Sequence, residues 1–284
     1  MNYSEPDTLV WSLSRRRMYE FCPRSAVMYY REMPAGMKPD ADALHQRIAA
    51  AGRTVPDAKF IRQFMLTVMR KQFYSTAASA AGLLASAMAE FDALIDRILL
   101  GTEFKIPMSL TGRTIGFTDG RQFLAKQFES ALLAVIRSGC WEQLMEIPFA
   151  KRRKIPEVLS VRFNETLCLA SPLCSAIHDG RLCMIELRSG ELFDAEDEIS
   201  LIHHLYTVNV SGNPAGSVRS LVIDYRGGRM REFGNPDGFV NAMRRIEADT
   251  EAWQDFCRRN TGDIPVNRKN CANCIFSEIC NHAF

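Results

Sequence analysis

The sequence has very little net charge: 35 lysines and arginines oppose 33 aspartates and glutamates, which leaves +2 at pH 7. A chain this close to neutrality is not a polycation that coats nucleic acid, so any contact with nucleic acid must be local. The sequence also lacks a long apolar run, because charged residues interrupt its most apolar stretch, residues 77–100. Since it also shows no charged-then-apolar leader, we expect a cytoplasmic protein with no membrane partner.

The cysteines do not have the pattern of a disulfide framework, because nine is an odd number and reducing compartments keep thiols free. Cys271, Cys274 and Cys280 form a C-x2-C-x5-C motif, and three thiolates at this spacing can wrap a soft metal centre. Zinc ribbons normally pair two C-x2-C knuckles, and this sequence has no second one. A zinc site and an iron-sulfur cluster both remain open, with Cys22 and Cys257 as candidates for the distant fourth ligand.

The first half of the chain has a helical pattern. Residues 12–22 are predicted to form a short helix with Ser12 or Ser14 as its N-cap, and residues 33–57 a loop with one helix at 44–51. From 58 to about 137, apolar residues recur at three-to-four spacing. The methionines and phenylalanines of this stripe are predicted to form core rather than a ligand site.

The periodicity changes near Pro156. Short apolar and β-branched runs, separated by turn residues, predict consecutive strands at 158–162, 167–170 and 182–187. Further along, the pattern predicts two helices and two strands between them: a helix at 195–210, strands at 217–225 and 230–233, and a helix at 236–258. The chain is therefore expected to be an α/β protein.

The two ends of the chain resemble the iron-sulfur branch of the PD-(D/E)xK nucleases, which includes the AddB subunit of bacterial helicase-nucleases and CRISPR adaptation nucleases with a RecB-like domain. The segments that carry this resemblance are 12–24 and 270–280. It implies a restriction-endonuclease-like core, a mixed central sheet flanked by helices, in one domain over residues 1–284. A mainly helical lobe would occupy residues 35–150, and a cluster-binding tail residues 265–284.

In these relatives one N-terminal and three C-terminal cysteines hold a 4Fe-4S cluster. The resemblance implies the same cofactor here, with the following four ligands: Cys22, Cys271, Cys274 and Cys280. Joining residue 22 to residue 271 would close nearly the whole chain into a loop. Because this restricts the unfolded ensemble, it would stabilise the folded state by on the order of a few kcal/mol.

The nuclease motif of this family is only partly present. The first aspartate falls on Leu173, or on Cys174 after a one-residue shift; the second acid is Glu186, and the lysine position is Arg188. Arginine stays protonated and cannot readily replace a lysine that activates water. Glu186 and Arg188 form a remnant site, and a buried ion pair is as good an interpretation of them as a phosphate contact.

The other motif positions of the family are also altered. Its upstream histidine falls near Leu66, with His45 as an alternative, and the glutamine of its Q-x3-Y motif lands on Ile202, while Tyr206 keeps the tyrosine. Because the metal ligands of the family are depleted, we expect Mg²⁺ or Mn²⁺ only if the nuclease site is functional.

Two basic runs are the candidate nucleic-acid surface, together with Arg24 and the retained Tyr206; their residues are Arg15, Arg16, Arg17, Lys151, Arg152, Arg153 and Lys154. The leading hypothesis is a cluster-containing nuclease-like protein without catalysis that binds DNA or docks with protein partners in a DNA-processing or defence complex. Two alternatives remain: an active metal-dependent deoxyribonuclease, and a protein-interaction scaffold with no nucleic-acid contact.

Overall fold

A computed structural model describes residues 9–76, 79–111, 117–188, 195–209, 218–225 and 227–283. The strands in these ranges are β1 Val10–Ser12, β2 Thr54–Val55, β3 Ile106–Pro107, β4 Arg152–Arg153, β5 Leu159–Phe163, β6 Thr166–Ala170, β7 Cys174–His178, β8 Arg181–Arg188, β9 Val218–Asp224 and β10 Arg229–Glu232. The α-helices are α1 Leu13–Phe21, α2 Pro23–Val27, α3 Met33–Gly36, α4 Ala43–Gly52, α5 Asp57–Phe73, α6 Ala80–Leu99, α7 Phe117–Arg137, α8 Cys140–Met145, α9 Glu196–Asn209, α10 Phe239–Arg258 and α11 Ser277–Ala283.

The protein is a mixed α/β chain that divides into two compact units. The terminal unit contains the described residues within 1–55, 160–169 and 240–284, and the central unit those within 56–159 and 170–239. Over the parts of the chain described above, no helix has both the length and the apolar content that a membrane crossing requires.

The central unit is built on a five-stranded mixed sheet in the order β10-β9-β8-β7-β4. Strands β7 and β8 form an antiparallel hairpin, whose turn uses the left-handed residues Asp179 and Gly180. Strand β9 then pairs with β8 in parallel, and α9 lies in the connection between them. A hairpin followed by a helix and a parallel strand therefore positions the carboxyl ends of β8 and β9 side by side.

Helices α5, α6 and α7 supply the aromatic core of the central unit. The rings of Phe91 and Phe128 stack at 4.7 Å, and Phe64 meets both of them edge-on. Phe91 and Phe128 are fully buried. The prediction that this helical stripe is core is confirmed for Phe91 and Phe128 but not for Phe123 of α7, which is 39% exposed.

The prediction of consecutive strands was only partly right. Strands β5 and β6 belong to a separate three-stranded sheet in the order β1-β6-β5, where β1 pairs with β6 in parallel. The central hairpin uses β7, which sequence analysis missed. Cys174, Ser175 and Ala176 in that strand are small and not β-branched, and all three are buried, so the strand lacks the usual sequence signal of strand propensity.

Helix α1 in the terminal unit begins as predicted, because Ser12 accepts a hydrogen bond from the Arg15 amide. After α2 the chain continues as one turn of π-helix, residues 28–32, into α3. The Arg15 guanidinium lies over the rings of Tyr30 and Trp253, at 4.5 and 5.0 Å from their centres. These contacts join α1 and the π-helical turn to α10.

Candidate metal centre and carboxylate site

Cys22 lies between two helices of the terminal unit. It is the C-cap of α1, and its amide donates a hydrogen bond to the Met18 carbonyl. Pro23 begins α2 directly after it. The side chain is 6% exposed. Proline at the first helical turn therefore fixes Cys22 at a break between two helices.

The three C-terminal cysteines lie on one short turn-rich segment. A 3₁₀ turn covers residues 268–273, and the Cys274 amide donates to the Cys271 carbonyl. Helix α11 starts at Ser277, and the Cys280 amide donates to the Phe276 carbonyl. These turns fix the backbone of the segment that carries all three cysteines.

All four cysteines line one small cavity of the terminal unit, about 10 Å³ in volume. Cys22 comes from the beginning of the chain and the other three from its end. Ser25 and Met28 from the first segment and Asn270 and Phe276 from the second also line this cavity, which we call the cysteine cavity.

Residues that follow Cys22 contact the thiols directly. Arg24 donates to the carbonyls of Gly262 and Ile264, at 2.6 and 3.0 Å, and its third contact is the Cys280 sulfur at 3.6 Å. The Ser25 hydroxyl lies 3.6 Å from the Cys274 sulfur. Both ends of the chain are therefore held together at the cavity by polar contacts as well as by packing.

The Cys274 thiol has a raised pKa. Burial is the main cause; a hydrogen bond from the Phe276 amide and the contact with Ser25 lower the pKa, and nearby Cys22 and Cys280 raise it again. A thiol in this setting loses its proton mainly when a cation compensates the charge, as metal coordination does.

The donor set of the cysteine cavity fits a soft, thiolate-bound centre, because four sulfurs share one space. Among the described residues, however, no three His, Cys, Asp or Glu side chains are close enough to hold a single metal ion. The cavity has about the volume of one water molecule, so a cluster would need the lining side chains to adopt other positions.

The remaining cysteines are placed differently. Burial raises the pKa of Cys168 to about 12, which keeps this thiol protonated. Cys257, the alternative fourth ligand, is half-buried and does not line the cysteine cavity. Four of these residues are buried, as expected for small core side chains: Cys140, Cys168, Cys174 and Cys183.

Glu186 lies near the end of β8 in the central unit and is fully buried. One carboxylate oxygen, Oε1, is 3.3 Å from Nε2 of His203. The other, Oε2, is 3.0 Å from a nitrogen of Arg188 and 3.7 Å from one of Arg62. The Arg188 nitrogen is not aligned for a hydrogen bond with Oε2, so this contact is ionic. The structure thus contains the ion pair that was one of the two interpretations of Glu186 and Arg188.

The charges around Glu186 decide its protonation. Burial raises its pKa, but Arg188, His203 and Arg62 together outweigh burial and lower the pKa to about 2. Glu186 is therefore ionised at neutral pH, with two guanidinium charges against one carboxylate. A divalent cation could use this carboxylate only by displacing those guanidinium groups. The arrangement is suited to a buried ion pair between the carboxylate and its arginines rather than to the activation of a water molecule.

The position of the first family aspartate is occupied by the buried side chain of Leu173. Arg70 donates to the carbonyls of Leu173 and Pro172, at 3.0 and 2.6 Å. Leu66, at the family's histidine position, is a buried residue of α5, and His45 lies on α4 with hydrogen-bond partners Asp42 and Glu32.

Several arginines of the predicted nucleic-acid surface have intramolecular contacts. In the first run, Arg16 pairs with Glu20 at 2.9 Å. In the second, Arg152 donates to the carbonyls of Phe73 and Ile147, and Arg153 to that of Ala150. Arg15 lies over the rings of Tyr30 and Trp253. The other members of the runs, Arg17, Lys151 and Lys154, are exposed, and Tyr206 is half-buried. The nucleic-acid role of these residues stays a prediction.

Sequence analysis did not assign Arg62 or His203 to the carboxylate site; it favours a solvated or hydrogen-bonded pair for His203 and His204 over a metal site. His203 is fully buried on α9, and its Nδ1 lies 2.9 Å from the Ser220 hydroxyl of β9. A signal was present, since His203 shares a helix face with the apolar Ile199 and with Thr207. Arg62 stands one turn before Leu66 on α5, and nothing in its sequence neighbours indicates that it points at a carboxylate.

Comparisons with protein-family models and with curated proteins found no match to this chain.

Proposed function

We propose that this chain is a PD-(D/E)xK-like protein that carries a 4Fe-4S cluster on Cys22, Cys271, Cys274 and Cys280. The observation that carries the proposal is that the cavity lined by the three C-terminal cysteines is also lined by Cys22, more than 200 residues away in sequence. Coincidence of four thiols from opposite ends of the chain is unusual for cysteines that serve only as small apolar side chains. When bound, such a cluster supplies a covalent link between the two ends of the chain.

The order of elements in the central unit supports the nuclease-like fold. A hairpin, a helix and a parallel strand follow one another, and the retained acid Glu186 stands on the second strand of the hairpin, two residues before Arg188. These are the positions to which the sequence resemblance assigns the D/E-x-K motif.

We further propose that the protein does not cleave nucleic acid by metal-dependent hydrolysis. Two-metal chemistry needs several oxygen ligands and a lysine or comparable base, whereas Glu186 is paired with two arginines and a histidine, and Leu173 replaces the first aspartate. Binding of DNA, or docking into a DNA-processing or defence complex, is the function that remains for such a fold.

Two experiments test these proposals separately. Protein purified without oxygen is expected to contain iron and sulfide and to absorb at about 400 nm, and Cys271→Ser is expected to lose the iron-sulfide content and the absorbance. Bound zinc, or unchanged iron in the variant, would refute the cluster.

Nuclease assays with Mg²⁺ or Mn²⁺ on single- and double-stranded DNA should show no cleavage. Cleavage that Glu186→Ala abolishes would instead establish the active nuclease.

A further inference from the structure

The central unit has an open groove that neither the cluster nor the carboxylate site uses. Its volume is about 490 Å³, within the range of roughly 300–1,000 Å³ that is typical of ligand sites. It is lined by one face of α7, by the start of α5 and by Tyr225, which follows β9. We call it the α5–α7 groove.

The side chains of the groove combine three kinds of contact. Small and apolar residues form its floor: Ala58, Ile61, Ala131 and Ala134. Phe123, Lys126, Gln127 and Ser130 lie along α7 at helical spacing, so they share one face over about 10 Å. Phe123 is 39% exposed, so part of its ring is open to a ligand in the groove. An aromatic face, a cation and an amide therefore stand within two turns of one helix.

The groove also lies at the edge of the sheet where ligands bind in open α/β folds. Tyr225 follows the carboxyl end of β9, and its amide donates to the Arg188 carbonyl at the carboxyl end of the parallel strand β8. Lys126 supplies the charge among the side chains that line the groove, so an anionic group is the complementary ligand.

We propose that the α5–α7 groove holds a nucleotide of a single-stranded nucleic acid, with the base against Phe123 and a phosphate at Lys126. The proposal rests on the proposed function and places its nucleic-acid contact away from the two basic runs. The floor of small side chains leaves a slot in which a planar base can lie beside the phenylalanine ring. A folded protein partner is less favoured, because a stable protein interface buries well over about 1,000 Å² and this groove offers one large apolar side chain.

Binding of a fluorescent oligothymidylate of about 16 nucleotides, followed by anisotropy at low salt, tests this proposal. Phe123→Ala should weaken binding roughly 5- to 150-fold, as expected for one lost base stack, and Phe123→Trp should restore it. Lys126→Gln should lower the slope of log affinity against log salt by about 0.7, the loss of one phosphate contact. Phe104→Ala and Lys71→Gln, which change an exposed phenylalanine and an exposed lysine of the same unit, serve as controls.

The outcomes separate the groove from the proposed function. Wild-type protein that binds while Phe123→Ala and Lys126→Gln bind equally well would overturn the groove and leave nucleic-acid binding standing. No binding by the wild type at low salt would overturn both the groove and nucleic-acid binding, whereas the cluster is tested separately by the iron and sulfide content. As a second measurement, an oligonucleotide with 5-bromouracil should crosslink to the α7 peptide that contains Phe123, and crosslinks confined to the terminal unit would contradict the proposal.

Discussion

The cysteine cavity of the terminal unit and the carboxylate site of the central unit correspond to two parts of one family resemblance, and they differ in what remains. All four cysteines are present and line one space, and Arg24 and Ser25 contact two of their sulfurs. At the carboxylate site one acid remains, and arginines occupy the surroundings that metal ions would need. Under the proposed function, the residues that would bind a structural centre are kept and those that would support cleavage are depleted.

The largest expected effect concerns the carboxylate site. Glu186→Gln should lower the free energy of unfolding by about 3–5 kcal/mol, because Arg62 and Arg188 would lose the charge of the buried carboxylate between them. Urea denaturation at neutral pH measures this effect. Glu157→Gln is the control, since Glu157 is an exposed partner of Arg70 and should change stability by less than about 1 kcal/mol.

The same pair of proteins gives a pH test. Because the pKa of Glu186 is lowered to about 2, its contribution should be complete above the unfolded value of about 4.3 and should disappear as the pH falls toward 2. The difference in stability between wild type and Glu186→Gln should shrink across this window. A stability difference that stayed constant down to pH 2 would contradict the pairing of ionised Glu186 with its arginines. It would also weaken the contrast that we draw between the two regions.

A smaller effect is expected in the terminal unit. Arg24→Gln removes contacts with two carbonyls and the Cys280 sulfur, so it should lower the free energy of unfolding by about 1.5–3 kcal/mol and speed the loss of iron from the purified protein. Chelator-induced bleaching measures the second effect. Arg153→Gln is the control, because the exposed Arg153 donates to the nearby Ala150 carbonyl in the other unit. Equal bleaching rates in wild type and Arg24→Gln would show that Arg24 does not stabilise the cysteine cavity.

The smallest effect is a pH dependence at His45. The hydrogen bond with Asp42 raises the pKa of His45, burial partly opposes this, and Glu32 raises it further. The stabilisation is therefore complete below the unfolded value of about 6.5 and is lost as the pH rises through the higher folded value. We expect less than about 1 kcal/mol for this half-exposed contact, measured as the difference between wild type and His45→Gln at about pH 5.5 and 8.5.

The sequence was most informative where local signals and burial agree. Ser12 caps α1, turns at Asn164 and Asp179 separate strands, and β8 and β9 have the apolar runs of buried strands. Strand β7 and the pairing of β1 with β6 were missed. A strand of small residues and a three-residue strand both take their conformation from partners distant in sequence.

For the sites, residue types were easier to predict than their partners. Spacing identifies Cys271, Cys274 and Cys280, and the resemblance adds Cys22. The contacts of Glu186 with Arg62 and His203 depend on how two helices pack on the sheet, which no local pattern specifies. An isolated arginine on a helix looks the same in sequence whether it faces water or a buried carboxylate.

The most direct test of the central claim compares Cys22→Ser with Cys257→Ser in protein purified without oxygen. We predict about four iron and four sulfide ions per wild-type chain, the same content in Cys257→Ser, and loss of the cluster in Cys22→Ser. A wild type without iron and sulfide, or a Cys22→Ser variant that keeps them while Cys257→Ser loses them, would contradict the assignment of the cysteine cavity.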